Sequence, residues 1–494
     1  MAKHILAIDQ GTTSTRAIAF NLNFQPQAVA QVELRQYYPQ PGWVEHDAEE
    51  IWNATLEVCR DVIGKVGGAA NVAAIGITNQ RETTIIWDRN TGAPVHRAIV
   101  WQDRRTAAQC DALREHEARV QEITGLLLDP YFSATKIAWI LDQDANLRRR
   151  AEAGELAFGT IESFLTWRLT GGKAHISDLT NASRTMLFDI GRQEWSEDLL
   201  ALFRVPRALL PKVVACDENV GATDAALFGA EIPICGMAGD QQAALVGHGC
   251  LKPGMAKATF GTGCFLVMNT GAARPHSRNR LLATIGYRSG EALSYALEGS
   301  IFSAGATMQW LRDGLGVIRS AAESETIAQS LADNGGVYLV PAFAGLGAPQ
   351  WNADARGTIV GLTRDARAAH LVRAGLEAVA YQTRDLLDAL AADGARIEKL
   401  LVDGGMTANA WAMQFLADIC QVEVVCPAYQ EVTALGAAKL AAAGSGLIRS
   451  LADAPESPRR AGWTPRMEPE RLARLRREWA AAVAGTLAIA AAPK

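Results

Sequence analysis

The sequence is short of several things, and each shortage narrows what the chain can be. Its 8 cysteines are scattered over 494 residues with no Cys-x-x-Cys pair, which argues against a zinc knuckle or a disulfide framework and for a reducing compartment. There is no basic surplus: 48 basic against 53 acidic residues leave a net charge of −5, so nothing is set up to neutralise the phosphates of a nucleic acid. No apolar run is long enough to span a bilayer. The best approximation, the alanine-rich stretch from Trp479 to Ala492, contains Gly485 and Thr486 and reads as a terminal helix. No Walker A motif and no Gly-x-Gly-x-x-Gly occurs, so neither a P-loop nor a Rossmann fingerprint is supported. Ile5 to Ile8 already reads as a strand, without a charged-then-apolar leader before it. What remains, at 49% hydrophobic and 20% charged, is a globular composition long enough for two or three domains. The expectation is a cytoplasmic enzyme that is not an integral membrane protein.

The order of elements sharpens this. Ile5–Ile8, Ala17–Phe20 and Ala28–Leu34 read as three strands joined by tight polar turns, which is an antiparallel meander. Asp47 to Val66 carries apolar residues at helical spacing, with Asp47 as its cap. Val72–Ile77 and Thr83–Trp87 read as further strands, and Gln102–Ile123 as one long helix. After residue 250 the grammar returns: Ala256–Phe260, a Gly261-Thr262-Gly263 turn, then Cys264–Met268. A helix over Ser303–Leu315, a strand at Val337–Val340, a helix over His370–Ala391, a strand at Lys399–Val402 and a helix after Met406 follow. Two α/β domains of similar topology, 1–249 and 250–494, are expected to face each other across a central cleft.

Three turns carry chemistry. Asp9-Gln10-Gly11-Thr12-Thr13-Ser14-Thr15-Arg16 offers backbone and hydroxyl donors and a positive charge to a phosphate, and Asp9 is placed to hold Mg²⁺ through water. The plainer reading is a polar hairpin whose hydroxyls satisfy their own backbone. Thr259–Cys264 repeats the pattern in the other half, and Asp403-Gly404-Gly405 supplies a glycine pair where a flat ring can approach the backbone. Three such turns spread over two halves read as clamps around one nucleotide. Asp240, in Gly239-Asp240-Gln241-Gln242, is either a helix N-cap or a general base.

These turns resemble the phosphate and adenosine motifs of the actin, Hsp70 and sugar-kinase superfamily. Tyr131 to Asp142 (YFSATKIAWILD) and Gly345 to Trp351 through Arg356-Gly357 resemble two signatures of the FGGY carbohydrate kinases. Thr78 to Thr84 (TNQRETT) with Trp101 to Arg105 (WQDRR) downstream is similar to the glycerol-phosphorylating members of that family. The match runs in order from about residue 5 to beyond residue 440.

The resemblance implies an actin-like, ribonuclease H-like pair of domains and transfer of the ATP γ-phosphoryl group to glycerol, giving sn-glycerol 3-phosphate and ADP with Mg²⁺ as cofactor. On matching positions, Arg81, Glu82, Tyr131, Asp240 and Gln241 would hold glycerol, with Trp101 and Phe265 as an apolar wall. Thr12, Thr13, Ser14, Arg16 and Thr262 would meet the phosphates. Gly305, Gln309, Gly405 and Asn409 would line the nucleotide side, and Asp9 and Asp240 would serve the metal. Relatives form homodimers and homotetramers, and the same is expected here. Some bacterial members are inhibited by fructose 1,6-bisphosphate through an arginine in a glycine-rich loop, or activated at a histidine in the same region. Glu231 and Ala226 stand there in this chain, so neither control is expected. A pentulose, tetritol or gluconate kinase would share the clamps and the role of Asp240. An actin- or Hsp70-like nucleotide switch would share only the phosphate turns.

Overall fold

The computed structural model describes residues 3–456 and 458–492. The first sheet is built from β1 (His4–Gln10), β2 (Ser14–Asn21), β3 (Pro26–Glu33), β4 (Val72–Asn79) and β5 (Ile234–Gly239), in the order β5-β4-β1-β2-β3. β1, β2 and β3 are the expected antiparallel meander, whereas β4 and β5 join on the other side in parallel. The first turn is closed by a Gly11 N–H donated to the Ser14 carbonyl at 2.9 Å, and the register puts Asp9 opposite Arg16.

The second sheet repeats this plan. Its members are β6 (Ala256–Phe260), β7 (Cys264–Gly271), β8 (Leu282–Ser289), β9 (Ala292–Ile301), β10 (Lys399–Asp403), β11 (Glu423–Pro427) and β12 (Arg459–Trp463). The order is β8-β9-β7-β6-β10-β11-β12. Again one strand, β6, has an antiparallel hairpin partner on one side and two parallel strands on the other, with β8 and β12 added at the edges. The expected α/β architecture of two similar halves is present.

Alternation along β1 decides what covers its sheet. Leu6 and Ile8 face a core shared with Ile51, Trp52, Val58 and Val62 of helix α1 (Ala48–Lys65), and Asp47 caps that helix by accepting the Glu49 N–H at 2.9 Å. Ile5 and Ala7 face Ala434, Ala437, Ala438 and Ala441 of a helix from the far end of the chain, Val432–Gly444. That alanine-rich helix lies directly on the strands because Gly76 and Gly236 present no side chain. A Cβ at either glycine would strike the backbone of residue 437 or 441. It also crosses the helix Asp240–Gly247 at equally close range: a Cβ on Gly436 would meet the Ala243 carbonyl, and one on Gly247 the Val432 carbonyl. The two halves are thus joined by helices in backbone contact, one of which begins at Asp240.

Two helical expectations need correction. Gln102–Ile123 is not one helix: residues 102–106 are turns, followed by Ala107–Ala112, a 3₁₀ turn at Arg114–His116, and Glu117–Thr124. Buried charge is the reason. The Asp103 carboxylate accepts the Val44 N–H at 2.6 Å and pairs with Arg105, which reaches Glu45 at 2.8 Å, so side-chain bonds replace the first helical turn. Ser303–Leu315 likewise divides into Gly305–Gln309 and a wider π turn over Trp310–Gly314. After Met406 the chain makes a 3₁₀ turn first, and the helix Ala410–Cys420 starts only where Asn409 caps it.

Replacing Gly436 by alanine should push the two inter-half helices apart and destabilise the protein by about 1–3 kcal/mol, read by urea unfolding. Gly485, in the terminal helix Pro469–Ala490 with open space around it, is the control. Gly485→Ala should be neutral or stabilising by up to about 1 kcal/mol. Equal effects at the two positions would refute the close-contact account.

Candidate active site

Strand β4 ends in the sharp turn Gln80-Arg81-Glu82, where Glu82 takes a positive φ of 61°. The Arg81 and Glu82 side chains are not the surface ion pair such neighbours usually form. They are 2% and 1% exposed and stand 3.9 Å apart, each engaged mainly elsewhere. Arg81 makes a forked pair with Glu298 of β9 at 2.6 and 2.9 Å. Glu82 accepts from Arg184 at 2.7 Å, and Arg184 reaches Glu298 at 3.1 Å. Two arginines and two glutamates therefore form a closed, buried network, with Glu298 contributed by the second half. Burial works against the Glu298 charge, but Arg184 and Arg81 outweigh it and hold the carboxyl at about 2. Glu82 is pushed up by burial, with the two arginines opposing and Glu298 adding to the rise.

Asp240 opens its helix beside this network. The Arg81 Nε lies 3.3 Å from its Oδ1, which also accepts the Gln241 N–H at 2.7 Å. The side chain stays 31% accessible. Burial in the cleft raises its pKa, and Arg81 and Lys257 work in the opposite direction. Asp240 is the first residue of that helix, whose N-cap is Gly239 with no side-chain cap bond, so the N-cap reading does not hold and the carboxylate is available to the cleft.

A cavity of about 610 Å³ opens over these groups. It is lined by Thr12, Thr13, Arg81, Glu82, Trp101, Tyr131, Asp240, Gln241, Thr262, Phe265 and Gln309, together with residues such as Gln36, Tyr38 and Gln102 that the sequence did not single out. Trp101 packs edge-on against Tyr131 at 5.6 Å and Phe265 at 5.9 Å, and its Nε1 donates to the Thr12 hydroxyl at 2.9 Å. The wall is therefore apolar and tied to the first phosphate turn. Tyr131 enters from the segment preceding the helix Ser133–Asp142. That helix is pinned by the Ser133 hydroxyl on the Glu82 carbonyl at 2.9 Å, and the buried Lys136 donates to the Tyr131 carbonyl at 2.8 Å.

A second cavity, of about 420 Å³, adjoins it and shares Gly261, Thr262 and Gln309. Gly305, Gly405 and Asn409, named above for the nucleotide side, line it together with Met406. Gly404, at a φ of 93°, presses on the Phe260 carbonyl, while Gly405 faces open space where a ring can lie against the backbone. The Gly305 N–H donates to the Gly261 carbonyl at 2.9 Å, locking the short helix Gly305–Gln309 to the second turn.

Two expected phosphate ligands lie away from these linings. Arg16 ion-pairs with Glu431 and donates to Gln31 at 2.8 Å, and Ser14 starts β2 with its carbonyl closing the first turn. Asp9 is the next-to-last residue of β1, opposite Arg16. Burial pushes its carboxyl up to about 6, Arg16 opposes that, and the charge of Asp240 raises it further. Two carboxylates that repel each other across a cleft fit a divalent cation that keeps much of its water and takes its other ligands from phosphate. Sequence reasoning missed Arg184, Lys257, Gln242 and Glu298. The available signal was a charge set inside an apolar strand, as Lys257 is in β6 and Glu298 in β9.

Comparison with known proteins agrees with this geometry. Residues 4–247 match the N-terminal domain of the FGGY family of carbohydrate kinases, and residues 256–445 match its C-terminal domain. A protein from Pseudomonas aeruginosa named glycerol kinase 1 is 58% identical over 456 residues, 92% of each chain. The glycerol kinase of Rhodospirillum centenum is 60% identical over 452 residues, 91% of each. Among solved structures, Plasmodium falciparum glycerol kinase with ADP superposes with a TM-score of 0.91 at 35% identity, covering 98% of both chains. Gluconate kinase from Lactobacillus acidophilus, at 21% identity and a TM-score of 0.89, shares the fold. With both domain models matched in order and relatives this similar along nearly the whole length, the chain belongs to the FGGY family of carbohydrate kinases.

Proposed function

We propose that this protein is an ATP:glycerol 3-phosphotransferase, moving the γ-phosphoryl group of ATP to a terminal hydroxyl of glycerol. The observation that carries this reading is the pair of adjoining cavities. One has charged groups on its floor and aromatic rings on its wall; the other is lined by glycine turns; they meet at Gly261, Thr262 and Gln309. The relatives at 58% and 60% identity support glycerol over a larger sugar.

In this reading glycerol lies in the first cavity. Arg81 donates to one hydroxyl, Glu82 accepts from another, and Gln241 serves a third, while Trp101, Tyr131 and Phe265 cover the carbon chain and exclude water. Asp240 takes the proton of the attacking hydroxyl as the phosphoryl group transfers in line. The donors of the Thr12–Thr13 and Thr262 turns hold the phosphates at the meeting point. Gly305, Gln309, Gly405 and Asn409 frame the nucleotide. Asp9 and Asp240 are the residues that would hold Mg²⁺, which when bound supplies charge neutralisation to the phosphates. Residues 1–249 then carry the acceptor and 250–494 the nucleotide, in a homodimer or homotetramer.

The test of substrate is ADP release measured with glycerol, xylulose, erythritol and no acceptor. Glycerol should give the highest kcat/KM by a wide margin. Release that is independent of any acceptor would favour a nucleotide switch instead. Within that assay Asp240→Asn should lower kcat by roughly 10²–10⁴-fold and leave ATP affinity near normal. Because a base acts only when ionised and burial raises this carboxyl, wild-type kcat/KM should fall as pH drops through a limb above the usual carboxylate pKa of about 3.9. Near-normal turnover in Asp240→Asn would reduce Asp240 to a helix-terminus residue. Glu298→Gln should raise the KM for glycerol and cost about 3–5 kcal/mol in urea unfolding, since two buried guanidinium groups lose their shared countercharge. A silent substitution there would show that Arg81 is oriented by something else.

A further inference from the structure

Lys257 is the second residue of β6, with Val267 of β7 on one side and Leu401 of β10 on the other. The side chain is wholly buried, in the middle of the second sheet's central strand. A buried ammonium in such a place is costly unless every proton finds an acceptor. Here three acceptors are present. The Nζ donates to the Gln241 Oε1, to the Thr259 hydroxyl at 3.0 Å and to the Phe265 carbonyl at 3.3 Å. One partner belongs to the acceptor cavity, one to the strand leading into the second phosphate turn, and one to the aromatic wall.

The chemistry of the pair fixes an orientation. An ammonium has only donors, so it selects the oxygen of a neighbouring carboxamide and turns the NH₂ away. Gln241 lines the acceptor cavity and cannot offer Lys257 its nitrogen without placing two donors face to face. Its NH₂ is therefore the end left for a substrate oxygen. We propose that Lys257 is a positioning residue of the acceptor site. It sets the Gln241 amide so that its NH₂ meets a glycerol hydroxyl, and it ties that amide to Thr259 beside the phosphate turn. This rests on the assignment of the first cavity to glycerol.

The experiment compares the full-length wild type with Lys257→Met in glycerol-dependent ADP release, alongside thermal unfolding. The KM for glycerol should rise on the order of tenfold, the loss of one oriented hydrogen bond, while the KM for ATP stays within about twofold. In a double-mutant cycle, Gln241→Ala should cost far less in the Lys257→Met background than in wild type. Unchanged glycerol KM or strict additivity in the cycle overturns the inference while leaving the kinase reading intact. A wild type without glycerol-dependent ADP release overturns the kinase reading itself. If Lys257→Met does not fold, Lys257→Arg takes its place. Charge is kept there and only the reach to Gln241 changes, so the glycerol KM should rise. A glycerol KM equal to wild type in that variant counts against the inference.

Discussion

The closed network of Arg81, Glu82, Arg184 and Glu298 is the constraint on which the rest of the cleft depends. Four charges are buried together, none with more than 2% of its side chain exposed. Such a group is tolerable only when every member keeps its partner, because one unpaired buried charge costs several kcal/mol. Glu298 comes from the second sheet and the other three from the first half, so the halves cannot slide past each other here without breaking the balance. The glycine-lined crossing of the helices Val432–Gly444 and Asp240–Gly247 adds a steric tie nearby. The floor of the cleft is thus fixed in two independent ways, and the functional groups stand on it.

Charge accounting explains how that floor can be both rigid and reactive. Arg81, Arg184 and Lys257 match Glu82, Glu298 and Asp240 in number, so the charges at the acceptor site compensate one another. Asp403 has its own partner in His248, 2.5 Å away. Asp9 is treated differently: its cross-strand neighbour Arg16 opposes the rise of its carboxyl but is shared with Glu431, and the like charge of Asp240 adds to the rise. Excess negative charge is therefore concentrated at the first phosphate turn, where a cation has use for it. At the acceptor end Glu82 and Asp240 are both cavity-lining carboxylates with raised pKa beside two cations; Glu82 is buried and bonded to Arg184, whereas Asp240 stays 31% accessible, which suits it to taking a proton at neutral pH.

Much of the fold was legible because its signals are local. The first meander, helix α1 with its Asp47 cap, and the two glycine turns each carry their pattern within about ten residues of sequence, and each formed as read. The long helix from Gln102 failed for a non-local reason: its apolar and charged spacing was helical, but Asp103 and Arg105 bond across to Val44 and Glu45, some sixty residues earlier in the chain. The site divided along the same line. Residues on motif turns, such as Thr12, Thr262, Gly405 and Asp240, line the cavities, whereas the groups that orient them came from strands whose composition looked like ordinary core. Glu298 lies in a run of otherwise buried strand residues, and its meaning depends on Arg81, 217 positions away. No window of sequence contains that pair.

This division has a physical cause that reaches beyond one chain. Groups that touch a ligand must sit where the backbone turns toward the cleft, and turns demand glycine, threonine or aspartate in recognisable order. Groups that hold those ligand contacts in place work from inside the sheets, where the only requirement is that a buried charge be satisfied. Arg16 shows the two roles are not interchangeable. It is the third residue of β2, opposite Asp9, so the same hairpin that aims Thr12 and Thr13 into the cavity directs its guanidinium to Glu431 at the start of the inter-half helix. The first turn therefore carries a phosphate-facing side and a side that fastens it to the other half, and a change in one is transmitted to the other through the single rigid loop between Asp9 and Arg16.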